Sequence, residues 1–322
     1  MMNRRLTLSA TLAAACTLLF ATGPARAADF PTHAIEVIVP FGAGGGTDAL
    51  ARAFADVARE YQTQPFVINN KPGASGVIGW SEVVNAKPDG YKLALMTVEL
   101  TILPHLGLSK FGVEEFTPIA RLNADPAAIT VKGDAPWNTI EEFIAATKKA
   151  NGEMKMGNSG NGSIWHLAAA AVADKTGTQF NHIPYQGAAP AVLSLLGGHI
   201  DAVAVSPAEV APHLASGKLK MLAVMADQRL KAFDKVPTLK ERGIDVSLGA
   251  WRGLGAPKNT PKDVIDVLKT VTEKVMNDPQ MREAMDKLAL GWAYGDEVAF
   301  KATMARDNAA FKALIPKLNL KP

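Results

Sequence analysis

The sequence lacks the residues that build several common kinds of functional site. Its 322 residues contain a single cysteine, Cys16, so the chain can form no internal disulfide. None of its six histidines makes an HxH or HExxH pair, and nothing therefore predicts a zinc site. These histidines are His33, His105, His166, His182, His199 and His213. A nucleophile elbow is also missing, because GNSGN around Ser159 lacks the glycine that should follow the serine by two positions.

The sequence also has no large excess of positive or negative charge. The chain has 34 Lys and Arg residues against 31 Asp and Glu residues. The surplus of three equals the contribution of Arg4, Arg5 and Arg26, which lie in a segment without acids. The remainder is formally neutral, so electrostatics gives no reason to expect a nucleic acid or an anionic membrane as partner. We expect no catalytic residues, no cofactor and no metal, and keep an exported hydrolase only as a minor alternative.

Long apolar runs are restricted to residues 6–20, a stretch too short to span a membrane. It follows a short basic segment and precedes Ala25 and Ala27, which have the small-x-small spacing of a signal-peptidase site. This pattern predicts a signal peptide over residues 1–27, cleaved after Ala27, and a periplasmic protein. A lipoprotein attached through Cys16 is the weaker alternative.

Strand and helix patterns alternate along the rest of the chain. Apolar runs predict strands at 35–40, 66–70 and 91–98, separated by helices at 48–61 and 76–86. Such a βαβαβ order predicts a parallel sheet covered on both faces. The alternation resumes after Pro126, which predicts a second sheet. Residues 261–318 read as helical throughout, and we expect them to pack on the first sheet.

Three glycine-rich turns each lead into a helix: VPFGAGGGTDALAR, NNKPGASGVIGW and KMGNSGNGSIWHLAAA. Such turns bring backbone amides close to a ligand, and a helix N-terminus favours an anion. Each turn alone could be only a tight connection, with Thr47 and Ser163 as N-caps. Three in one chain favour an anion site. The first is not a P-loop and has Thr47 where the third glycine of a dinucleotide motif belongs, so carboxylate is the better candidate.

The order of motifs resembles the periplasmic solute receptors of tripartite tricarboxylate transporters, the Bug or TctC type. The similarity covers essentially the whole chain after the signal peptide and rests on nine segments in family order. They are PFGAGGGTDALAR, NNKPGASGVIG, KPDGYKL, FTPIARL, GNSGNGSIWHLA, HIPYQGAAPAVLSLLGGHIDA, GKLKMLAV, VPTLKERGI and WRGLGAPKNTP. The resemblance implies an α/β fold of the type II-like periplasmic-binding-protein kind, with two lobes, two crossing segments and a ligand cleft. We expect lobe 1 to comprise residues 28–126 and 250–322, and lobe 2 residues 127–249.

The resemblance also implies which residues bind a small carboxylate. The positions that match the family's cleft turns are Phe41, Gly44, Gly45, Thr47, Asp48, Ala74, Ser75, Gly76, Ser159, Gly160, Gly162, Ser163, Tyr185, Gly187 and Ala188. Ser206 stands where many relatives have an acidic or amide residue. Thr97 ends the third predicted strand, where parallel sheets bind ligands, and we chose it over Glu99 because an inward Glu99 would repel a carboxylate.

Arg252 is the basic residue in the cleft-associated motif WRGLGAP. Its guanidinium could pair with a second ligand carboxylate by a bidentate bond, or it could be a surface arginine at the hinge. Trp80 and Trp165 could wall the cleft or serve only in packing. The segment after the LLGG motif has no acidic residue at the position where many relatives have an acidic or amide residue. An amino-acid ligand would need an acid to pair with its ammonium group, so this absence argues against an amino acid as ligand.

The sequence thus predicts a monomeric receptor for a mono- or dicarboxylate, aliphatic or aromatic, since no row of basic residues suits a trianion. Its partner would be the membrane permease of a tripartite tricarboxylate transporter. Delivery to a membrane sensor kinase is the alternative within the same class.

Overall fold

The computed structural model describes residues 30–318 and Leu320. The predicted signal peptide and its cleavage site lie outside these residues. Within the described part, no helix has the length and apolar character needed to cross a membrane.

Strands and helices alternate over most of this part of the chain. The strands are β1 Ile35–Val39, β2 Phe66–Asn70, β3 Lys92–Thr97, β4 Phe116–Pro126, β5 Ala128–Lys132, β6 Lys155–Asn158, β7 Asn181–Pro184, β8 Ala202–Val205, β9 Leu219–Val224, β10 Gly249–Pro257 and β11 Trp292–Gly295. The helices are α1 Gly46–Ala58, α2 Val77–Val84, α3 Ile140–Ala150, α4 Ile164–Thr176, α5 Ala188–Leu196, α6 Pro207–Ala215, α7 Lys262–Asn277, α8 Pro279–Lys287 and α9 Glu297–Leu314.

The first sheet has six strands in the order β11-β4-β10-β3-β1-β2. Strands β2, β1 and β3 are parallel, as the βαβαβ pattern predicts, and α1 and α2 pack against them. β10, β4 and β11 continue the sheet in antiparallel pairs. The sheet is therefore mixed rather than parallel throughout, because strands from distant parts of the chain join its edge.

The second sheet has five strands in the order β7-β6-β8-β5-β9. β6 pairs in parallel with β7 and β8, and β5 runs antiparallel to β8 and β9. Helices α4, α5 and α6 contact these strands. This confirms that a second sheet follows Pro126.

The chain passes between the sheets twice. It leaves the first sheet at the end of β4 and enters β5 after Ala127, and it returns between β9 and β10. β4 and β10 lie side by side, with Asp125 opposite Ala250 and Asn123 opposite Arg252. The lobe limits at 126/127 and 249/250 remain a prediction, but these paired strands place Asp125 and Arg252 together at the crossing.

The C-terminal third differs from the prediction in one respect. We expected helices throughout residues 261–318, yet Trp292–Gly295 forms β11 on the edge of the first sheet. Four residues are too few for a periodic signal, and the strand exists only because β4 offers a free edge. α7 and α9 pack on β4, so this third does pack on the first sheet.

Two histidines of the second lobe pack together, His166 buried and His182 partly buried. His166 of α4 packs edge-on against His182 of β7, with ring centroids 4.5 Å apart. His166 Nδ1 accepts a hydrogen bond from the Gly162 amide at 3.1 Å, which requires a neutral, unprotonated nitrogen. Burial lowers the pKa of each histidine to about 4.

These lowered pKa values predict a loss of stability in acid. Between pH of about 6.5 and about 4 the unfolded chain binds protons that the folded chain does not, so the free energy of unfolding falls as the pH falls. We expect His166→Asn to remove a part of that loss on the order of 1 to 3 kcal/mol between pH 7 and pH 4, measured by urea unfolding. The exposed His199 supplies a control variant, His199→Asn, measured in the same way. Equal pH profiles for His166→Asn and wild type would contradict the prediction.

Candidate functional site

A small cavity lies where the loops of the two sheets meet. Its free volume is about 20 Å³, which is room for little more than one water molecule. Residues from both sheets and from the crossing strand β10 line it. They are Phe41, Gly42, Gly45, Thr47, Thr97, Glu99, Ser159, Ile164, Trp165, Ala188, Glu209, Ala250 and Arg252.

The first glycine turn places the start of α1 at this cavity. The helix begins at Gly46, and its N-cap is Gly45, which provides no side-chain cap. Thr47 therefore lies inside the helix rather than at its cap. Asp48 is occupied by the turn itself, because its Oδ2 accepts hydrogen bonds from the Gly44 amide and from Arg52 Nε, both at 3.0 Å. The carboxylate thus shapes the turn and does not line the cavity.

The second turn places the start of α4 on the opposite side. Ser163 caps this helix, as expected, and its Oγ accepts a hydrogen bond from the His166 amide at 3.3 Å. The amides of Gly160 and Gly162 are used within the turn, by Asn158 and His166 respectively. From this turn and the start of α4, the cavity is lined by Ser159, Ile164 and Trp165.

The glycine turns of the two lobes touch each other. The Gly42 amide donates to Gln186 O at 3.1 Å, and Ser75 Oγ donates to Asn161 O at 2.6 Å. A Cβ at Gly160 would lie 2.6 Å from Ser75 Oγ. A side chain there would push the turns apart, so this glycine permits the close approach of one lobe to the other, as well as any approach to a ligand.

Arg252 lies at the centre of a buried polar network. Its Nε donates to Thr47 Oγ1 at 2.9 Å, its Nη1 donates to Asp125 Oδ2 at 2.6 Å, and its Nη2 lies 3.5 Å from Glu209 Oε1. The side chain is 2% exposed, which corrects the alternative of a surface arginine. Each of its three nitrogens thus already has an acceptor within 3.5 Å in the chain, although a guanidinium carries five N–H donors, so a ligand carboxylate would share or replace these partners.

Two carboxyl groups face the cavity. Glu99 Oε1 accepts a hydrogen bond from the Ile164 amide at 3.1 Å, and Thr97 Oγ1 donates to Glu99 Oε2. Glu209 Oε2 accepts a hydrogen bond from the Ser206 amide at 3.0 Å, and its Oε1 lies 3.4 Å from the point where a Cβ on Gly46 would stand. Burial raises the pKa of Glu99, and it raises the pKa of Glu209 to about 7, against the opposing effect of Arg252. The sequence predicts Thr97 alone at this strand end, but Glu99 also lines the cavity, beside Thr97.

The two tryptophans have different places. Trp165 lines the cavity, whereas Trp80 is fully buried and donates from its indole nitrogen to Leu95 O at 3.1 Å. Trp80 therefore supports the site from below through its edge contact with Phe41, at a centroid distance of 6.4 Å.

The predicted site residues fall into three groups. Those that line the cavity are Phe41, Gly45, Thr47, Thr97, Ser159, Ala188 and Arg252. A neighbouring pocket of about 280 Å³ lies between the same two lobes and includes Ala74, Ser75, Gly160 and Tyr185. The others, which line neither space, are Gly44, Asp48, Gly76, Gly162, Ser163, Gly187 and Ser206.

The cavity also includes residues that sequence analysis did not select: Gly42, Glu99, Ile164, Glu209 and Ala250. Gly42 and Ile164 belong to the glycine turns, and counting every residue of each turn would have found them. Glu209 carried no such signal, because it approaches the cavity only through the position of α6 opposite α1. The described residues contain no group of three or more His, Cys, Asp or Glu side chains able to hold a metal ion.

Comparison with known proteins agrees with this architecture. The model of the tripartite tricarboxylate transporter family receptor, TctC, matches residues 50–320. A Cupriavidus necator protein of the gbd 5' region is 35% identical over 99% of both chains. A ligand-free crystal structure of a TctC solute binding protein from Polaromonas is 57% identical, with a TM-score of 0.66, over 89% of this chain and 99% of that one.

Two further solved structures superpose more closely. The periplasmic binding protein BugD has a TM-score of 0.87 at 31% identity, over 91% of this chain and 99% of that one. An R. palustris protein with adipate also has a TM-score of 0.87, at 25% identity, over 91% of this chain and all of that one. The fold is thus the two-lobed α/β fold of periplasmic binding proteins, and the chain belongs to the TctC family of solute receptors of tripartite tricarboxylate transporters.

Proposed function

We propose that this protein binds a small mono- or dicarboxylate in the cavity between its two lobes and delivers it to the membrane permease of a tripartite tricarboxylate transporter. The observation that carries the proposal is the cavity itself, which the N-terminal ends of α1 and α4 approach from opposite lobes. The first amides of a helix and the positive end of its dipole favour an acidic group at such a place. Export through cleavage after Ala27 would bring the receptor to the periplasm, where the permease can be reached.

The adipate complex of the R. palustris relative supports a carboxylate as ligand. The charged residues of the cavity limit the negative charge that the ligand can carry. Among the lining residues Arg252 alone is basic, and Asp125 and Glu209 already offset its charge. A trianion would bring far more negative charge than these groups can neutralise, whereas one or two carboxylates remain compatible. The raised pKa values of Glu99 and Glu209 reduce the repulsion that an anion would meet at neutral pH.

The two lobes would open and close about the paired strands β4 and β10. The ligand-free Polaromonas structure superposes less well than the adipate complex, although it is far more similar in sequence. The lower TM-score of the more similar sequence supports a movement of one lobe relative to the other, rather than a difference of fold. An acid that contacts both lobes stabilises the closed arrangement, which then offers one surface to the permease.

The first turn gives a sharp test of the site. A Cβ at Gly45 would lie 3.9 Å from its nearest neighbours, Gly42 O and Ala189 N, and the backbone φ is −83°, so a side chain there fits the fold. We expect Gly45→Val to fill the approach to the α1 N-terminus and weaken binding of the identified acid by about 2 kcal/mol, roughly thirtyfold, in calorimetry. Gly45→Ala should lose less. Unchanged affinity in a folded Gly45→Val protein would remove this turn from the site.

A thermal-shift screen of the mature protein tests the ligand class. We expect at least one aliphatic or aromatic mono- or dicarboxylate to raise the melting temperature, because a hundredfold excess over Kd adds about 2.7 kcal/mol to stability. Adipate, acetate and benzoate represent the expected chemistry, with citrate and glucose as controls. Stabilisation by glucose or citrate alone would contradict the proposal.

A further inference from the structure

The two cavity glutamates make reciprocal contacts between the lobes. Glu99 follows β3 in the first sheet, and its carboxyl accepts the amide of Ile164, the first residue of α4 in the second lobe, at 3.1 Å. Glu209 lies on α6 in the second lobe, and its Oε1 lies beside Gly46, the first residue of α1 in the first lobe, 3.4 Å from the point where a Cβ on that glycine would stand. Each lobe thus presents a carboxyl group to the helix N-terminus of the other.

These are the positions at which a ligand carboxylate would bind. The first amides of a helix have no partner within the helix, and the dipole there favours an acid. Glu209 also lies 3.5 Å from Arg252 Nη2, where a second ligand carboxylate could otherwise pair. Both side chains are almost fully buried, with Glu99 2% and the Glu209 side chain 3% exposed. They are therefore built into the closed arrangement and are not surface groups that lie there by chance.

Within this cavity there is no second place for an acid beside them. With both carboxyl groups in position, the cavity has about 20 Å³ of free volume. A carboxylate needs more room than one water molecule, and it needs the same amide donors. An incoming acid must therefore move at least one glutamate away from its helix.

We propose that Glu99 and Glu209 are intramolecular ligands, which occupy the two helix N-termini, hold the lobes closed without an added acid, and compete with the solute for these sites. The inference rests on the proposed function, because it assigns the same cavity to an organic acid. As a consequence, the affinity for the solute depends partly on how strongly the two glutamates compete with it. When a fraction of the molecules is closed on its own carboxyl groups, the apparent Kd rises by the inverse of the remaining competent fraction.

The closed state can be tested without any ligand. Small-angle X-ray scattering in a buffer free of carboxylates should give a compact wild type, and a larger radius of gyration for Glu99→Ala and Glu209→Ala. Glu142→Ala is the matched control, since Glu142 accepts the backbone amide of Asn138 at 2.6 Å and does not line the cavity. Equal radii for wild type and both cavity variants would overturn the proposal.

Aspartate variants distinguish an opened protein from a misfolded one. Glu209 also accepts the Ser206 amide at the start of α6, at 3.0 Å, so its removal could weaken that helix. Glu209→Asp and Glu99→Asp keep an acidic group at each position but shorten its reach by one methylene. We expect them to open the protein as the alanine variants do, with the helical circular dichroism of wild type. Aspartate variants as compact as wild type would contradict the need for contact with the opposite helix.

Binding affinity is the second readout. For acetate, and for any acid that the thermal-shift screen identifies, both alanine variants should bind about threefold or more tightly than wild type, because the internal competitor is gone. Unchanged or weaker binding would overturn the proposal and assign the glutamates to ligand contact or to structure. If no acid binds wild type or variant, the proposed function fails, while the scattering comparison still decides whether the glutamates close the lobes.

Discussion

The buried guanidinium of Arg252 is the interaction on which the site depends. It lies on the crossing strand β10 and connects Thr47 at the start of α1, Asp125 at the end of β4, and Glu209 on α6 of the other lobe. A buried cation without partners would cost several kcal/mol, so the folded chain must keep these acceptors around it. Asp125 extends the connection, because its Oδ1 accepts the Gly291 amide at 2.7 Å beside β11. The Arg252 guanidinium and its partner Asp125 therefore connect both lobes, the crossing strands and the edge of the first sheet.

Close approach of backbone atoms is the second requirement of the site. Gly42, Gly160 and Gly162 lie where the lobes touch, and a Cβ at Gly162 would lie 2.7 Å from Leu106 Cδ1. The same glycines that suggest an anion site in the sequence thus also allow the lobes to close. A receptor that must capture a small acid and release it to a membrane protein needs both properties, since capture depends on amides and release depends on reopening.

Glutamates inside an expected anion site are the main surprise, and burial explains them. Two ionised carboxylates would repel an organic acid, but both groups lie in a low-dielectric interior that disfavours their charge and raises their pKa. Each carboxyl group also accepts a hydrogen bond from a backbone amide at the start of a helix, Glu99 from Ile164 and Glu209 from Ser206. The carboxyl group of a ligand could accept such a bond in the same way. The cavity is therefore matched to a carboxyl group, and the chain supplies such groups itself.

Local sequence was sufficient for the features that depend on neighbouring residues. It determined the parallel strands β1, β2 and β3, the helices that begin after glycine turns, the Ser163 cap and the presence of a second sheet, because periodicity and turn chemistry act over a few residues. Tertiary structure alone decided the rest. β11 needed the open edge of β4, Arg252 became buried only when β10 paired with β4, and Glu209 reached Gly46 only when the lobes met. Those contacts join residues more than a hundred positions apart, and no local pattern records which distant side chain will face a given helix end.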